Sequence, residues 1–237
     1  MTRAAMAIDR DRIRSLHDML LAHFGPQHWW PGRNAFEVMT GAILVQRTRW
    51  EHAAQALSHL DRAGVLIPDR LVTCSVRRLE AMIRPAGFYR QKARRLRGAS
   101  TWWIEQGGRT GLARQPTARL RQALLALEGI GPETADCILL YVFQRPVFVA
   151  DAYARRLFRR LGWLDRADSG RYETVAAAVN SAVTERPGFF NELHALIVAH
   201  GKAICARTPR CPECPLRRHC PRGKAVKESS ARPRSGR

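Results

Sequence analysis

An all-α fold is predicted by three features of the 237-residue chain. Apolar residues recur at spacings of three and four through most of it, Gly and Pro break up the periodic stretches, and no segment sustains the alternation of a half-buried strand. With 46% hydrophobic residues the chain can build a real core, and its length suits one or two domains. No repeat at a fixed period is present.

Taken in order, "FEVMTGAILVQ" (36–46), "LRQALLALE" (120–128), "ETADCILLYVF" (133–143), "AYARRLFRRLG" (152–162) and "FFNELHALIVAHG" (189–201) each carry a helical apolar stripe. Breaks fall at "GPQHWWPG" (25–32), "RPAGFY" (84–89), "GIGPE" (129–133), "QRPVF" (144–148) and "ERPG" (185–188). After Pro221 the sequence "RGKAVKESSARPRSGR" is polar and basic without an apolar face, so residues 223–237 are expected to form a disordered basic tail.

Charge narrows the function classes. Forty Lys and Arg face 20 Asp and Glu, a formal net charge of +20, and such a chain seeks polyanions, nucleic acid first among them. A membrane surface would also attract it, but no apolar run reaches the roughly 20 residues of a spanning helix. The opening "MTRAAMAIDRDRIRSLHDML" is interrupted by Arg and Asp, unlike a secretory signal. The chain reads as soluble and intracellular.

Six cysteines in such a chain are not a disulfide framework, because the cytosol keeps thiols reduced. Cys74 and Cys137 stand alone in apolar surroundings and read as packing residues. Cys205, Cys211, Cys214 and Cys220 form a C-x5-C-x2-C-x5-C loop in which Pro209, Pro212 and Pro215 oppose helix. Four cysteinates suit either tetrahedral zinc or a cubane iron–sulfur cluster. A zinc ribbon more often has two C-x2-C pairs, which favours iron–sulfur, but spacing leaves both open. Arg207, Arg210, Arg217 and Arg218 would give the loop positive charge in either case.

"LLALEGIGPETADCILLYVF" reads helix, tight turn, helix. Gly129 and Gly131 permit the turn and Pro132 suits the first helical position, leaving backbone N–H groups open to an anion such as a phosphate. A bare G-x-G is weak evidence, since many hairpins use glycine only to turn. About 20 residues on, Asp151 sits between a short apolar stretch and a helix. By itself an aspartate there is most simply an N-cap.

The order of these parts, a G-I-G-x-x-T-A hairpin, an Asp at the next helix start, then "HALIVAHGKAIC" leading into a four-cysteine loop, resembles the endonuclease III superfamily of helix-hairpin-helix DNA glycosylases over roughly residues 29–220. The resemblance implies a two-domain fold: a six-helix barrel carrying the hairpin (35–148) and a discontinuous iron–sulfur domain (1–34 and 149–222), with a DNA groove between them. It implies a [4Fe-4S] cluster on Cys205, Cys211, Cys214 and Cys220, with a structural role. The first gap is five residues where endonuclease III has six, so this loop should be one residue tighter.

Asp151 matches the family's catalytic aspartate, which stabilises the oxocarbenium-like sugar and orients the attacking water. In bifunctional members a lysine two positions after the second hairpin glycine forms a Schiff base; here that position is Glu133, and a carboxylate forms no imine. The only lysines are Lys92, Lys202, Lys224 and Lys227. A monofunctional glycosylase is therefore expected. The segment "WWPGRNAFEVMTGAILVQRTRWEHAAQAL" is similar to the branch containing 3-methyladenine DNA glycosylases, implying a base pocket from Trp29, Trp30, Trp50 and Lys202. Indole faces bind a cationic alkylated purine at about 0.5–2 kcal/mol each, although any single Trp is as readily core. Trp102, Trp103 and Trp163 read as core.

Gln46 matches the residue that fills the gap left by a flipped nucleotide, and Phe88 the wedge on the opposite strand. Gly129, Gly131 and Glu133 complete the expected DNA-binding set. Arg47 replaces the Asn usual in this branch. Arg90, Lys92, Arg94 and Arg95 would follow as phosphate contacts, or as a solvated helix face. The expected partner is double-stranded DNA containing a damaged base, met by a monomer in the cytoplasm at the nucleoid. Two rivals are a uracil or thymine mismatch glycosylase and a noncatalytic iron–sulfur DNA-binding protein; the second is disfavoured by an anion such as Asp151 beside phosphates.

Overall fold

The structure, a computed structural model, describes residues 8–164 and 170–230. Among these residues all regular structure is helical, with thirteen α-helices and no strand. No helix among them is long and apolar enough to cross a membrane. The chain divides into two compact units, one spanning Trp30–Arg145, the other made from the segment up to Trp29 and the segment from Pro146 onward.

In the second of these, α1 (Arg10–Phe24) starts where Asp9 accepts a hydrogen bond from the Arg12 amide at 2.9 Å. Ile13, Leu16 and Leu20 form its buried stripe, and the helix packs on α12 (Pro187–Ala203). The central unit runs α2 (Ala35–Leu44), α3 (Trp50–Arg62), α4 (Pro68–Thr73), α5 (Val76–Ile83), α6 (Tyr89–Glu105), α7 (Gly108–Ala113), α8 (Thr117–Leu125) and α9 (Pro132–Tyr141). Six of these eight have eight residues or more, and α4 and α7 have six residues each. The apolar run of α2 is buried from Phe36 through Leu44, except for Glu37, and lies against α3, α6 and α9.

Between α8 and α9 the chain turns on Gly129 at φ +76°. A Cβ there would come within 2.0 Å of the Arg95 Nε, so the turn needs glycine for both backbone and space. Pro132 occupies the first turn of α9, as its fixed φ favours. Arg121 on α8 then grips Asp136 on α9 through Nε to Oδ1 at 2.7 Å and Nη2 to Oδ2 at 3.1 Å, with the Asp136 side chain buried.

The other unit continues through α10 (Ala152–Leu161), α11 (Tyr172–Ala182), α12 and α13 (Pro221–Ser230). Phe148, Phe158 and Trp163 stack in sequence at centroid distances of 5.9 and 5.3 Å. Burying each such ring contributes roughly 1.5–3 kcal/mol. Trp103 is likewise buried, in the central unit, where it meets Phe36 and Phe143.

Two expectations differ from what is observed. The unit boundaries fall at residues 29/30 and 145/146 rather than 34/35 and 148/149, because Trp30 packs on Trp50 and Tyr141 while the Phe148 amide donates to Asn180 of α11. The basic tail is helical over Pro221–Ser230 instead of disordered. Pro221 sits at its first turn, Ala, Lys and Glu are good helix formers, and buried Gly223 lets the helix close on the Arg217 backbone. The remainder of the expected tail lies outside the described residues.

Replacing Asp136 with Ala removes the carboxylate facing Arg121 and should lower the unfolding free energy by about 3 kcal/mol in urea titrations; a loss under about 1 kcal/mol would make the pair incidental to the hairpin.

Candidate functional site

In the central unit a cleft of about 340 Å³ is lined by Gln46, Phe88, Gly129, Gly131 and Glu133, together with Arg47, Gln91, Lys92, Arg95 and Thr134. All five residues expected at a DNA surface thus meet in one place. Gln46 is held by three bonds: its Nε2 donates to Gly129 O and Thr134 Oγ1, both at 3.0 Å, and its Oε1 accepts from Arg95 Nη1 at 2.8 Å. Phe88 is 55% exposed and has φ +48°; Arg47 has φ +55°. Left-handed backbone at two non-glycine residues costs roughly 1–2 kcal/mol each and marks the cleft rim as constrained.

The basic run behind Phe88 is not the row of phosphate contacts that its sequence suggests. Lys92 is 1% exposed, with its ammonium donating to Leu44 O and Ala86 O at 2.8 Å each. Its buried stripe on α6, shared with Leu96, Ala99 and Trp103, is the signal that would have revealed this. Arg94 pairs with Glu128 at 2.9 Å, and Arg95 is committed to Gln46. Of the four, only Arg90 is an exposed cation without an ion pair or hydrogen bond described here; its guanidinium lies over the Tyr89 ring.

Burial, followed by the nearby Arg95 charge, pulls the Lys92 pKa down to about 8. Between pH 8 and the ordinary 10.5 the unfolded chain binds a proton that the folded chain releases, so folding becomes more favourable as pH rises through this window.

Asp151, 8% exposed, caps α10: its Oδ1 accepts from the Ala154 amide at 2.7 Å. The apolar stretch before it, Phe148 to Ala150, is fully buried and fixes its position. His194, from the buried stripe of α12, brings Nε2 to 3.7 Å from the other oxygen, Oδ2. This neighbour was missed in the sequence, although it is in phase with Phe190, Leu193 and Ile197.

Of the expected base pocket, Trp30 and Trp50 meet edge to face at 5.1 Å, and Trp30 is 5.3 Å from Tyr141. All three belong to the central unit. Tyr141, the last residue of α9, is an addition that sequence reading did not supply. Trp29 and Lys202 belong to the other unit; Trp29 is half-buried and Lys202 is exposed in the last turn of α12.

In that unit Cys205, Cys211, Cys214 and Cys220 all line one small cavity with His200, Leu157, Leu161 and Leu216. Burial raises Cys214 to about 11, with the other three thiols adding to the effect, and pushes Cys220 up as well. His200, whose Nε2 lies 3.3 Å from Cys214 Sγ, is lowered to about 4 by burial and by His23, Arg156 and Arg160. Two arginines missed in the sequence reading grip the loop from α10. Arg156 donates to Cys205 O and Gly201 O, and Arg160 to the carbonyls of Cys205, Ala206 and Arg207 and to Cys205 Sγ at 3.0 Å. Their i, i+4 spacing in "RRLFRR" places both on one helix face. Arg210 is used internally, on Ala203 O and Glu213.

Four cysteines around one cavity are a donor set of the kind taken by either tetrahedral zinc or a cubane iron–sulfur cluster. Tetrahedral zinc, at about 2.3 Å per bond, would draw its sulfurs to within about 4 Å of one another. Among the described residues no group of three or more His, Cys, Asp or Glu is gathered as a metal site, which favours neither a single ion nor a cluster. A cubane gives each cysteinate its own iron around a shared cavity.

The all-helical fold, the glycine-turned hairpin and the capped aspartate define a class, and residues 40–181 match the HhH-GPD superfamily of base excision DNA repair proteins. The chain belongs to this family. It is 35% identical over 213 residues to a putative DNA repair glycosylase of Methanocaldococcus jannaschii, covering 89% of this chain and 96% of that one. Its fold is similar to that of endonuclease III in a non-covalent DNA complex, at TM-score 0.78 and 24% identity over 93% of this chain and 99% of the other. It is also similar to a 3-methyladenine DNA glycosylase of H. pylori bound to 1,N6-ethenoadenine, at TM-score 0.70 and 25% identity over 81% and 96%.

Substituting Lys92 with Met removes the titration described above, so in thermal unfolding across pH 8 to 10.5 the wild type should gain stability relative to the variant. A constant difference between the two would mean that the ammonium is not perturbed.

Proposed function

We propose that the protein is a monofunctional DNA glycosylase of base excision repair that hydrolyses the N-glycosidic bond of a flipped, alkylated purine such as 3-methyladenine. The observation that carries this is the hairpin itself: the position of the lyase lysine holds Glu133 at the cleft, and the lysine near it, Lys92, is buried with its ammonium on two carbonyls. No amine in the cleft is then placed to attack the sugar.

Asp151 supplies the charge. With Oδ1 spent on the α10 cap, Oδ2, which has His194 Nε2 3.7 Å away, is left as the oxygen to stabilise the oxocarbenium-like centre and take the proton of the attacking water. A methylated purine is already cationic and leaves readily, so no strong acid is needed. Trp30 and Trp50 offer indole faces for stacking on such a base, joined by Trp29 and Lys202 in the reading taken from the family. Gln46 and Phe88 enter the duplex at the vacated site and on the opposite strand. Cys205, Cys211, Cys214 and Cys220 hold a [4Fe-4S] cluster, which when bound cross-links their loop. The protein acts as a monomer on double-stranded DNA in the cytoplasm.

Incubation with methylated duplex should give strand breaks only after hot alkali, the mark of an abasic product made without lyase chemistry. Breaks without alkali would overturn the monofunctional assignment, and no breaks in either lane would move the substrate to uracil or mismatched thymine. Asp151→Asn should retain duplex binding and lose excision by at least about a hundredfold. The purified protein should be yellow-brown with a broad band near about 400 nm. A colourless protein carrying stoichiometric zinc would replace the cluster with a single-ion site.

A further inference from the structure

Lys92 is the buried charge that the proposed mechanism leaves unused. A lysine at 1% exposure is costly to bury, and an apolar residue of similar length would fill the same volume without that cost. Its acceptors are informative. Leu44 O is the last carbonyl of α2, two residues before Gln46, and belongs to the group of helix-end carbonyls that have no intrahelical donor. Ala86 O ends the short 3-10 turn Arg84–Ala86, two residues before Phe88. One ammonium therefore spans the roots of two loops that are 42 residues apart in sequence and meet in one cleft.

Both loops are under backbone constraint just beyond those roots. Gly87 and Phe88 have φ +69° and +48°, and Arg47 has φ +55°. Phe88 is held 55% exposed, a conformation that a free loop would relax by folding the side chain inward. Gln46 is fixed from its own side by Arg95, Gly129 and Thr134, whereas no side-chain hydrogen bond caps α6 at Phe88. The two bonds from Lys92 tie the less constrained loop to the more constrained one.

We infer that Lys92 is a positioning residue for base extrusion, clamping the Phe88 wedge loop to the Gln46 loop so that both enter the duplex as one rigid unit. This rests on the reading of Gln46 and Phe88 as the duplex-entering residues. An unpositioned wedge would still dock on the phosphates but would unstack the lesion less often, so the loss falls on the extrusion step and leaves binding to undamaged duplex unchanged.

The test is a double-mutant cycle on the full chain with Lys92→Met and Phe88→Ala, singly and together. A 2-aminopurine beside an alkylated base reports unstacking, single-turnover excision reports the reaction, and binding to undamaged duplex is the control. Lys92→Met should reduce unstacking and excision about tenfold, and the double variant should be no worse than Phe88→Ala alone, because both act through one element. Lys92→Gln, which keeps an N–H donor, should recover part of the loss. If Lys92→Met slows the Phe88→Ala background as much as it slows the wild type, Lys92 acts elsewhere and the inference fails. It fails equally if Lys92→Met and Lys92→Gln both unfold the protein, since the clamp would then be part of the core. A wild type that unstacks the reporter without excising a base would overturn the glycosylase reading while leaving the clamp to be judged by fluorescence. A wild type that does neither overturns both.

Discussion

The close approach of Arg95 to Gly129 couples three segments of the central unit. The guanidinium fills the space that a Cβ at Gly129 would need, and from there it reaches Gln46, which in turn bonds the Gly129 carbonyl and Thr134. Helix α6, the segment after α2 and the hairpin are thereby linked through one Arg95 bond to Gln46 and two Gln46 bonds to the hairpin. Lysine would supply the charge without the planar group that lies against the turn while one Nη donor meets Gln46. The left-handed turn, the missing side chain and the arginine explain one another, and the shape of the cleft follows from them.

A second arrangement of the same kind holds the other unit. Helix α10 begins at Asp151, whose carboxylate caps it, and carries Arg156 and Arg160 further along, where they bind the carbonyls of the cysteine loop. Gly201 lets Tyr153 approach α12 closely, since a Cβ there would fall 2.4 Å from the ring. One ten-residue helix therefore ties the proposed catalytic carboxylate to the four thiols through its own backbone. Apart from the bond to Cys205 Sγ, these two arginines read main-chain oxygens, so their grip depends on the path of the loop backbone.

Much of this architecture was legible in the sequence. The stripes at three- and four-residue spacing gave α2, α8, α9, α10 and α12, and the residues around Gly129 and Asp151 marked the hairpin and the cap. What was not legible has a physical cause in each case. "RQKARR" reads as a solvated basic face, and only its phase with Leu96, Ala99 and Trp103 shows that Lys92 points inward. His194 and Tyr141 lie within apolar stripes and look like core until their neighbours across the fold are known. The helix after Pro221 lacks an apolar stripe because a small residue, Gly223, makes its packing contact. Tertiary contact decided all of these, and local pattern carries little of it.

The scarcity of lysine has a consequence for the chemical life of the product. Of 40 cationic side chains only four are lysines and 36 are arginines, so the positive charge of the chain is carried mostly by guanidinium. An abasic site carries an aldehyde, which condenses with primary amines; guanidinium, protonated throughout the biological range, does not compete in that reaction. A protein that excises a base and then remains on the DNA can thus grip the strand without becoming covalently trapped on it.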